Sequence, residues 1–273
     1  MNQRKLAIFS GICAAQITTV LFIIFSPLQS FAADLSEEQL KENILPKATA
    51  AFHLKTLSSD YLSNCTATIF EKDDKVYRLI TAAHCVAKDD EVHKQVKVAS
   101  AKWFINFDDE GTKLFAPAKV VAAGYQHRGD DFAVIEVEIK ALKGYTPPLV
   151  PLANQPPKLW EPVINIAFTY GLGKQGYGGH ISLPKLDTPI EDDNKDINWQ
   201  EVMLLQLEVG GGSSGSAVVS LKQKGIIGVI VGIVKGKAIA IPIERFKKFW
   251  AMSKEGKYKW FKPEESDNGP DEK

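Results

Sequence analysis

The stretch Gly210-Gly211-Gly212-Ser213-Ser214-Gly215-Ser216-Ala217 lies between two apolar runs, residues 202–209 and 218–221. A glycine-rich turn between two strands lets the backbone approach a substrate closely. It also lets two N–H groups point the same way, as stabilisation of an oxyanion requires. A serine hydroxyl in such a turn is a poor nucleophile until a base removes its proton. The stretch therefore predicts a serine nucleophile only if the rest of the chain supplies a histidine and an aspartate.

The overall composition is that of an ordinary globular protein. The chain has 273 residues, of which 45% are hydrophobic and 24% are charged, and its formal net charge is zero. This balance favours neither nucleic acid nor an anionic surface as a partner. The length alone allows one large domain or two small ones.

The N-terminus has the pattern of an export signal. Two basic residues precede the apolar run 6–25, and Ser30-Phe31-Ala32 has small residues at the two positions that a signal peptidase reads. We expect residues 1–32 to be a signal peptide cleaved after Ala32. The protein is then secreted or periplasmic and keeps no stable membrane association. The alternative is an uncleaved anchor, because the apolar run is long enough to span a bilayer.

A short helical segment is predicted at residues 33–46, followed by a β-rich chain. Ser36 is followed three residues later by Gln39, a capping-box pattern that opens a helix, which we expect to end near Pro46. Short runs bounded by polar or glycine residues then predict strands. These runs are 50–54, 65–70, 77–81, 95–98, 102–107, 119–123, 132–137, 162–168, 179–183, 202–209, 217–221, 226–231 and 238–241. Their spacing predicts an all-β barrel or sandwich.

Three further segments complete the domain organisation. The proline-rich residues 146–157 divide the strands into two sets and predict a linker between two half-domains. Residues 243–250 carry apolar side chains at helical spacing and predict a closing helix. The tail 263–273 is too polar to bury anything, and we expect it to be disordered.

Two more motifs supply the missing histidine and aspartate. Thr81-Ala82-Ala83-His84-Cys85 ends a predicted strand, and Asp131 lies directly before Phe132-Ala133-Val134. Together with the serine stretch they resemble the motifs of trypsin/chymotrypsin-like serine peptidases, over roughly residues 48–250, and bacterial members such as the glutamyl endopeptidases and HtrA-like peptidases in particular. The resemblance implies a peptidase domain at residues 47–262. Its fold would be two antiparallel six-stranded β-barrels with a C-terminal helix and the site in the cleft between them.

The resemblance assigns a role to each matched residue. His84 matches the general base, Asp131 the residue that orients the imidazole, and Ser214 the nucleophile. The N–H groups of Gly212 and Ser214 match the oxyanion hole. The implied function is an exported, monomeric serine endopeptidase. It would hydrolyse polypeptide substrates through an acyl-enzyme without a metal or an organic cofactor.

Cys65 and Cys85 remain in the chain once the signal peptide is removed. Two cysteines in an exported protein suggest one disulfide, whereas two free buried thiols are expected in the cytosol. The resemblance pairs Cys65 with Cys85, which closes a loop that contains His84. A disulfide of this loop size stabilises by roughly 3 kcal/mol.

Each of the three candidate residues has neighbours that could replace it. Asp130 precedes Asp131, but only Asp131 lies immediately before the apolar strand. Ser213 and Ser216 flank Ser214, but only Ser214 lies in a Gly-X-Ser-Gly pattern. Spacing is the one criterion that separates them, and it favours Asp131 and Ser214.

The remaining histidines and a charged cluster are given structural interpretations. No pair of these histidines has metal-ligand spacing, so we interpret them as surface or packing residues: His53, His93, His127 and His180. The charged residues 71–75 are interpreted as a hairpin turn. Calcium binding there, or at residues 192–194, is the alternative.

The serine stretch departs from the zymogens of the family at one position. In those enzymes a new N-terminus of Ile-Val-Gly-Gly type pairs with an aspartate directly before the nucleophile. Ser213 occupies that position here, and the sequence has no such segment. A serine cannot form an ion pair, so we expect constitutive activity or a loop that is ordered by another means.

The primary pocket has two competing interpretations. In the family its base is the residue six before the serine, which is Glu208 here. A buried carboxylate there would select Lys or Arg in the substrate. The alternative is that Glu208 faces solvent, because apolar and polar residues alternate around it. The other wall is apolar and favours Val, Ala or Leu in the substrate; it comprises Ile230, Val231 and Gly232.

Two other function classes compete with a peptidase. A non-catalytic or latent binding protein on a trypsin-like fold would need no working oxyanion hole, and the unusual run of three glycines before Ser213 leaves that alternative open. A serine esterase of the α/β-hydrolase type is disfavoured. Its Gly-X-Ser-X-Gly motif is absent, because Ser216 fills the last position, and strands do not alternate with helices.

Overall fold

The computed structural model describes residues 35–55, 64–86, 102–109, 112–124, 129–187, 190–191, 198–199 and 201–258. Several predicted features lie outside these residues: the signal peptide, the strand at 95–98, His93, His127, the acidic residues 192–194 and the polar tail. No helix among the described residues combines the length and the hydropathy needed to cross a membrane.

The first half of the chain forms a closed barrel of six antiparallel strands. Its strands are β1 (Thr49–Lys55), β2 (Asn64–Lys72), β3 (Val76–Thr81), β4 (Lys102–Asp109), β5 (Thr112–Ala123) and β6 (Ala133–Glu138). Neighbours around the barrel follow the order β1-β2-β3-β6-β5-β4. The pairing of β3 with β6 is the one that matters for the site, since it joins the two motifs that carry His84 and Asp131.

The second half forms another closed six-stranded barrel, which confirms the predicted fold class. Its six strands are β7 (Pro162–Ala167), β8 (Gln175–Leu186), β11 (Val202–Gln206), β12 (Ala217–Ser220), β13 (Gly225–Val234) and β14 (Lys237–Pro242). A separate two-stranded sheet consists of β9 (Ile190–Glu191) and β10 (Asn198–Trp199). The barrel order is β11-β14-β13-β12-β7-β8, and β9 pairs with β10.

The strand predicted at residues 202–209 is too long. Strand β11 ends at Gln206, although the apolar alternation continues to Val209. Leu207 is buried and Val209 packs against the core of the second barrel. Burial of these side chains, rather than ladder hydrogen bonds, therefore explains the pattern that was interpreted as strand.

The predicted closing helix is present and packs on the first barrel. Helix α3 spans Ile243–Lys254, and its Phe246 contacts Phe70 and Phe132 with ring centroids 5.1 and 5.5 Å apart. Phe132 directly follows Asp131, so α3 covers the start of β6. The helix that ends the second half therefore supports the aspartate that the first half provides.

The linker between the two barrels is bonded to both of them. The Val150 N–H donates to the carbonyl of Ile69 in β2, at 3.0 Å. The Ala153 N–H donates to Ile226 in β13 at 2.9 Å, and the Ile226 N–H donates back to Pro151 at 2.7 Å. These bonds give the proline-rich residues a defined path across the barrel interface.

The N-terminal segment begins with the predicted capping box. The Ser36 hydroxyl accepts from the Gln39 N–H, and the Gln39 side-chain carbonyl accepts from the Ser36 N–H, both at 3.0 Å. Helix α1 (Glu37–Gln39), a π-helical turn (Leu40–Ile44) and helix α2 (Leu45–Ala48) follow without a break. The helical turns continue to Ala48, two residues past the expected end near Pro46, and Pro46 lies in the first turn of α2.

This N-terminal segment is part of the folded core. Leu40 and Leu45 are fully buried in the main hydrophobic cluster. The Tyr145 hydroxyl donates to the Lys47 carbonyl at 3.1 Å, and Lys174 Nζ donates to the Pro46 carbonyl at 2.6 Å. Residues from both halves of the chain therefore hold the segment in place.

The predicted turn between β2 and β3 is present at residues 73–75, and Glu71 and Lys72 are the last residues of β2. Asp73 Oδ1 accepts from the N–H groups of Lys75 and Val76, at 2.8 and 3.0 Å, and Oδ2 accepts from Arg78 at 2.7 Å. These backbone N–H groups, followed by Arg78, hold the pKa of Asp73 below its ordinary value. The contribution of Asp73 to the stability of the fold is therefore present above the ordinary pKa of aspartate. It is lost as pH falls through the lowered pKa of Asp73. One carboxylate of the charged cluster, that of Asp73, is thus bonded to protein donors.

Leu40→Ala should lower the free energy of unfolding by about 2–5 kcal/mol, because it opens a cavity among fully buried side chains. Urea unfolding of the protein without residues 1–32 measures this. The matched control is Glu38→Ala, which changes an exposed residue of the same segment and should cost no more than about 0.5 kcal/mol. Equal stability of the two variants would mean that the segment does not belong to the cooperative core.

Candidate active site

Strand pairing brings His84 and Asp131 together from positions far apart in the chain. Strand β3 ends at Thr81, and a 3₁₀ helix, Ala83–Cys85, carries His84 immediately afterwards. Asp131 lies two residues before β6 begins. Because Thr81 is the partner of Ala133 in the antiparallel β3–β6 ladder, the end of one strand lies beside the start of the other.

Asp131 holds His84 by two hydrogen bonds. The backbone N–H of His84 donates to Asp131 Oδ1 at 2.8 Å, and His84 Nδ1 lies 2.7 Å from Asp131 Oδ2. The Asp131 side chain is fully buried, while that of His84 is 21% exposed. A buried carboxylate against Nδ1 fixes the plane of the ring and leaves Nε2 as the nitrogen that can accept a proton.

Asp130, the alternative aspartate, is bonded elsewhere. Its Oδ1 pairs with the guanidinium of Arg245 in α3 at 2.8 Å, and its Oδ2 accepts from the Tyr258 hydroxyl at 3.0 Å. Two adjacent carboxylates therefore have different partners: Asp130 binds the C-terminal helix and Asp131 binds His84. The choice that spacing favoured agrees with this geometry.

A disulfide between Cys65 and Cys85 is present, as the resemblance implied. It joins β2 to the 3₁₀ helix that carries His84, with the two Cα atoms 6.2 Å apart. Ligand atoms of Cys65, His84 and Cys85 lie within 4.8 Å of one another. Both sulfurs are bonded to each other, however, so neither is available as the thiolate that a metal ion requires.

The main chain of Ser214 lies beside this disulfide. Its carbonyl accepts from the N–H of Thr66 in β2 at 2.9 Å, and Cys85 Sγ is 3.9 Å from the same oxygen. Ser214 is half-buried, as is His84. The serine loop of the second barrel therefore lies against β2 of the first, with the main chain of Ser214 close to the segment that carries His84.

Two glycines of the serine loop have conformations and surroundings that exclude a side chain. Gly212 and Gly215 have φ angles of 97° and 85°, in the left-handed region. A Cβ on Gly212 would lie 2.3 Å from the Phe168 carbonyl oxygen, and one on Gly215 would lie 2.1 Å from the Thr81 hydroxyl. Close approach of neighbouring segments thus explains two of the glycines in the stretch.

Hydrogen bonds orient the peptide groups that flank the candidate nucleophile. The Gly211 carbonyl accepts from the Tyr170 N–H at 2.6 Å, and the Ser213 carbonyl accepts from the N–H and hydroxyl of Ser216, at 3.0 and 2.6 Å. In a trans peptide the N–H points opposite to the C=O. These bonds therefore set the directions of the Gly212 and Ser214 N–H groups. Among the described residues, neither N–H has a backbone carbonyl as its acceptor.

Ser213 is bonded inside the loop, at the position where the family's zymogens use an ion pair. Its side chain is 1% exposed, and its hydroxyl accepts from the Gly210 N–H and lies 3.1 Å from the Thr169 hydroxyl. Its own N–H donates to the Gly210 carbonyl at 2.9 Å. A buried network of neutral groups therefore orders this loop in place of a charged pair.

The residues outside the serine loop that hold it in place by hydrogen bonds were not identified from the sequence. Asn165 Nδ2 donates to the Ser216 hydroxyl and to the Ala217 carbonyl, both at 2.8 Å. Asn165 is the one polar residue in the otherwise apolar strand β7, and this pattern in the sequence could have indicated a buried hydrogen-bonding role. Thr66, Thr169 and Tyr170 gave no such signal, because they reach the loop from segments remote in sequence.

Of the two environments considered for Glu208, the structure has the solvent-facing one. Glu208 is exposed, as is Gln206, while Leu207 between them is buried. A preference for Lys or Arg in the substrate required the carboxylate of Glu208 to be buried. Glu208 is instead exposed, because it lies on the same polar face of the segment as Gln206. On the opposite wall Ile230 and Val231 are buried and Gly232 is half-buried. Ile230 also binds the serine loop, accepting from the Gly215 N–H at 2.8 Å.

Solved structures similar to this one include those of a protease from M. tuberculosis. The Rv3671c protease from M. tuberculosis in its active form has a TM-score of 0.58 and 16% sequence identity, covering 80% of this chain and 85% of its own. An inactive form of Rv3671c from M. tuberculosis H37Rv, with serine replaced by alanine, has a TM-score of 0.56 and 17% identity, covering 81% and 95%. At such identities the likeness shows a common fold. No curated protein matches the chain.

A family model gives the more specific result. The model described as the trypsin-like peptidase domain matches residues 65–229, which is more than half of the chain. That span includes the disulfide and the three candidate residues His84, Asp131 and Ser214. The protein therefore belongs to the family of trypsin-like peptidases.

Proposed function

We propose that this trypsin-like peptidase is an exported serine endopeptidase in which His84, Asp131 and Ser214 form the catalytic triad. The observation that carries the proposal is the fully buried carboxylate of Asp131, which accepts from the backbone N–H of His84 and binds its Nδ1. A carboxylate in this position favours the tautomer with a free Nε2 and stabilises the imidazolium once it forms.

The first chemical step is acyl transfer to Ser214. His84 Nε2 takes the hydroxyl proton as Ser214 Oγ attacks the carbonyl carbon of the scissile peptide bond. The resulting tetrahedral intermediate collapses when the C–N bond breaks, and His84 gives the same proton to the leaving amine. A water molecule, deprotonated by His84, then attacks the acyl-enzyme, and Ser214 regains its proton when the ester bond breaks.

The oxyanion hole is assigned to the N–H groups of Gly212 and Ser214. Bonds to the Gly211 and Ser213 carbonyls hold these peptide groups in place before substrate binds. Donors fixed in advance need no reorganisation during the reaction. This preorganisation accounts for most of the rate enhancement that an oxyanion hole provides. This support favours an active peptidase over a binding protein on the same fold.

The disulfide supports the proposed location. A Cys65–Cys85 bond is expected to persist in an oxidising compartment and to be rare in the cytosol. Together with the basic start, the apolar run and the small-residue site, it favours cleavage after Ala32 and a secreted or periplasmic enzyme. We propose that the enzyme acts on polypeptides as a monomer. We also propose that its primary pocket prefers small or branched apolar substrate residues, because Ile230 and Val231 line the proposed pocket.

A fluorophosphonate probe tests the triad, because it reacts rapidly only with a serine whose base and oxyanion hole are both in place. The protein without residues 1–32 should be labelled, and Ser214→Ala should abolish labelling. Asp131→Asn should slow labelling by about 10³–10⁴-fold, since the imidazole loses its correct tautomer. Gel fluorescence against time measures the rates.

Asp130→Asn is the matched control for the aspartate. It makes the same chemical change in the neighbouring residue, whose carboxylate binds Arg245 instead of His84. Its labelling rate should stay within about twofold of the wild type, as expected of a residue outside the reacting groups. Labelling that survives Ser214→Ala, or a wild-type protein that is not labelled, would contradict the proposed function.

Peptides that differ only in the residue before the scissile bond test the pocket. Glu208 is exposed, so Glu208→Gln should change the kcat/KM ratio of a Lys peptide to a Val peptide by no more than about fivefold, the range of an exposed charge. The wild type should already prefer the Val peptide. A strong wild-type preference for Lys that the variant loses would restore Glu208 as the base of the pocket.

A further inference from the structure

We propose that Thr66 is a positioning residue that sets the serine loop of the second barrel against His84 of the first. The inference rests on the proposed function and adds a residue that none of the sequence motifs contains. Thr66 lies in β2, directly after Cys65 of the disulfide.

All the polar groups of Thr66 are bonded to the surroundings of the site. Its N–H donates to the Ser214 carbonyl at 2.9 Å, and its hydroxyl donates to the Gly212 carbonyl at 2.8 Å. The same hydroxyl accepts from the Phe168 N–H at 3.0 Å, and its carbonyl accepts from the Thr81 hydroxyl at 2.8 Å. The side chain is fully buried, so these bonds are shielded from water.

These bonds join the two parts into which the proposed triad is divided. The first barrel holds His84 and Asp131, and the second barrel holds Ser214. Thr66 contacts the carbonyls on either side of Ser213, and through Thr81 it contacts the end of the strand that leads to His84. An error of about 1 Å between nucleophile and base costs on the order of 10²-fold in rate, so this registration matters for catalysis.

The hydroxyl controls a peptide group in the middle of the proposed oxyanion loop. The Gly212 carbonyl belongs to the peptide that joins Gly212 to Ser213, between the two N–H groups assigned to the hole. Gly212 has a φ of 97° and no side chain to restrict it. Without the Thr66 donor, this peptide is held on one side alone, by the bond from the Ser213 N–H to the Gly210 carbonyl, so it can tilt and change the directions of the neighbouring N–H groups.

Valine is the informative replacement for Thr66. It has nearly the shape of threonine but cannot form hydrogen bonds, so it leaves the Gly212 carbonyl and the Phe168 N–H without their partner. The backbone bond from residue 66 to Ser214 is retained. The variant therefore removes the orienting contact while it keeps the strand and the disulfide.

Thr68 provides a matched control in the same strand. It lies two residues further along β2, which places it on the same face, and it is also fully buried. Its hydroxyl has no hydrogen-bond partner in the part of the chain that the structure describes. Thr68→Val thus makes the same substitution of a buried threonine without breaking an observed bond.

The experiment measures the fluorophosphonate labelling rate, peptide kcat and KM, and the thermal unfolding midpoint for the wild type, Thr66→Val, Thr66→Ser and Thr68→Val. Thr66→Val should lower kcat and the labelling rate by at least about tenfold, with KM within about twofold, because the contact orients reacting groups rather than binding substrate. Thr66→Ser retains the hydroxyl and should recover most of the rate. Thr68→Val should react at the wild-type rate.

Wild-type rates for Thr66→Val, or equal losses for the valine variants at 66 and 68, would overturn the inference while the proposed function stands. Failure of the wild type to label overturns both. If Thr66→Val does not unfold cooperatively, Thr66→Ser and Thr66→Ala form a second pair that differs only in the hydroxyl. The serine variant must then react at least about tenfold faster than the alanine variant, and equal rates reject the inference.

Discussion

The buried carboxylate of Asp131 is the group on which the rest of the site depends. A carboxylate removed from water needs donors that compensate for its lost hydration, and here the backbone N–H and the ring nitrogen of His84 occupy both oxygens. That arrangement requires the end of β3 to lie beside the start of β6, which the barrel closure provides. The disulfide and the packing of α3 over Phe132 then restrain the two flanking segments. One buried charge thus accounts for several features of the first barrel.

The serine loop illustrates a different solution, in which neutral groups replace a charge. Zymogens of the family order this loop with an ion pair, and an ion pair forms only after a new N-terminus appears. Here Ser213, Ser216 and Asn165 form a buried network that is present without any cleavage. An unsatisfied buried polar group is costly, and the neighbouring backbone carbonyls have donors, although Asn165 Oδ1 has no hydrogen-bond partner among the described residues. The chemistry of the loop is therefore consistent with an enzyme that needs no activation.

The two halves of the chain depend on each other beyond the cleft. The N-terminal segment buries Leu40 and Leu45 in the main core and is bonded by Tyr145 and Lys174, one from each half. The C-terminal helix crosses in the opposite direction, with Arg245 bound to Asp130 of the first barrel. Both terminal segments therefore act as clamps on the barrel interface. Because several contacts hold the barrels together, no single terminal contact sets the geometry of the site.

The sequence by itself determined the family, the order of the candidate residues, the β-barrel class, the capping box at Ser36 and the disulfide, because each of these depends on local patterns or on a matched motif. Only the tertiary structure decided that β11 stops at Gln206, that Glu208 faces solvent and that Thr66 and Tyr170 contact the serine loop. Alternation of apolar residues reports burial but not ladder pairing, so it could not give the end of a strand or the orientation of Glu208. The contacts of Thr66 arise because packing of the two barrels places β2 against a loop about 150 residues away, and no local pattern encodes such a separation.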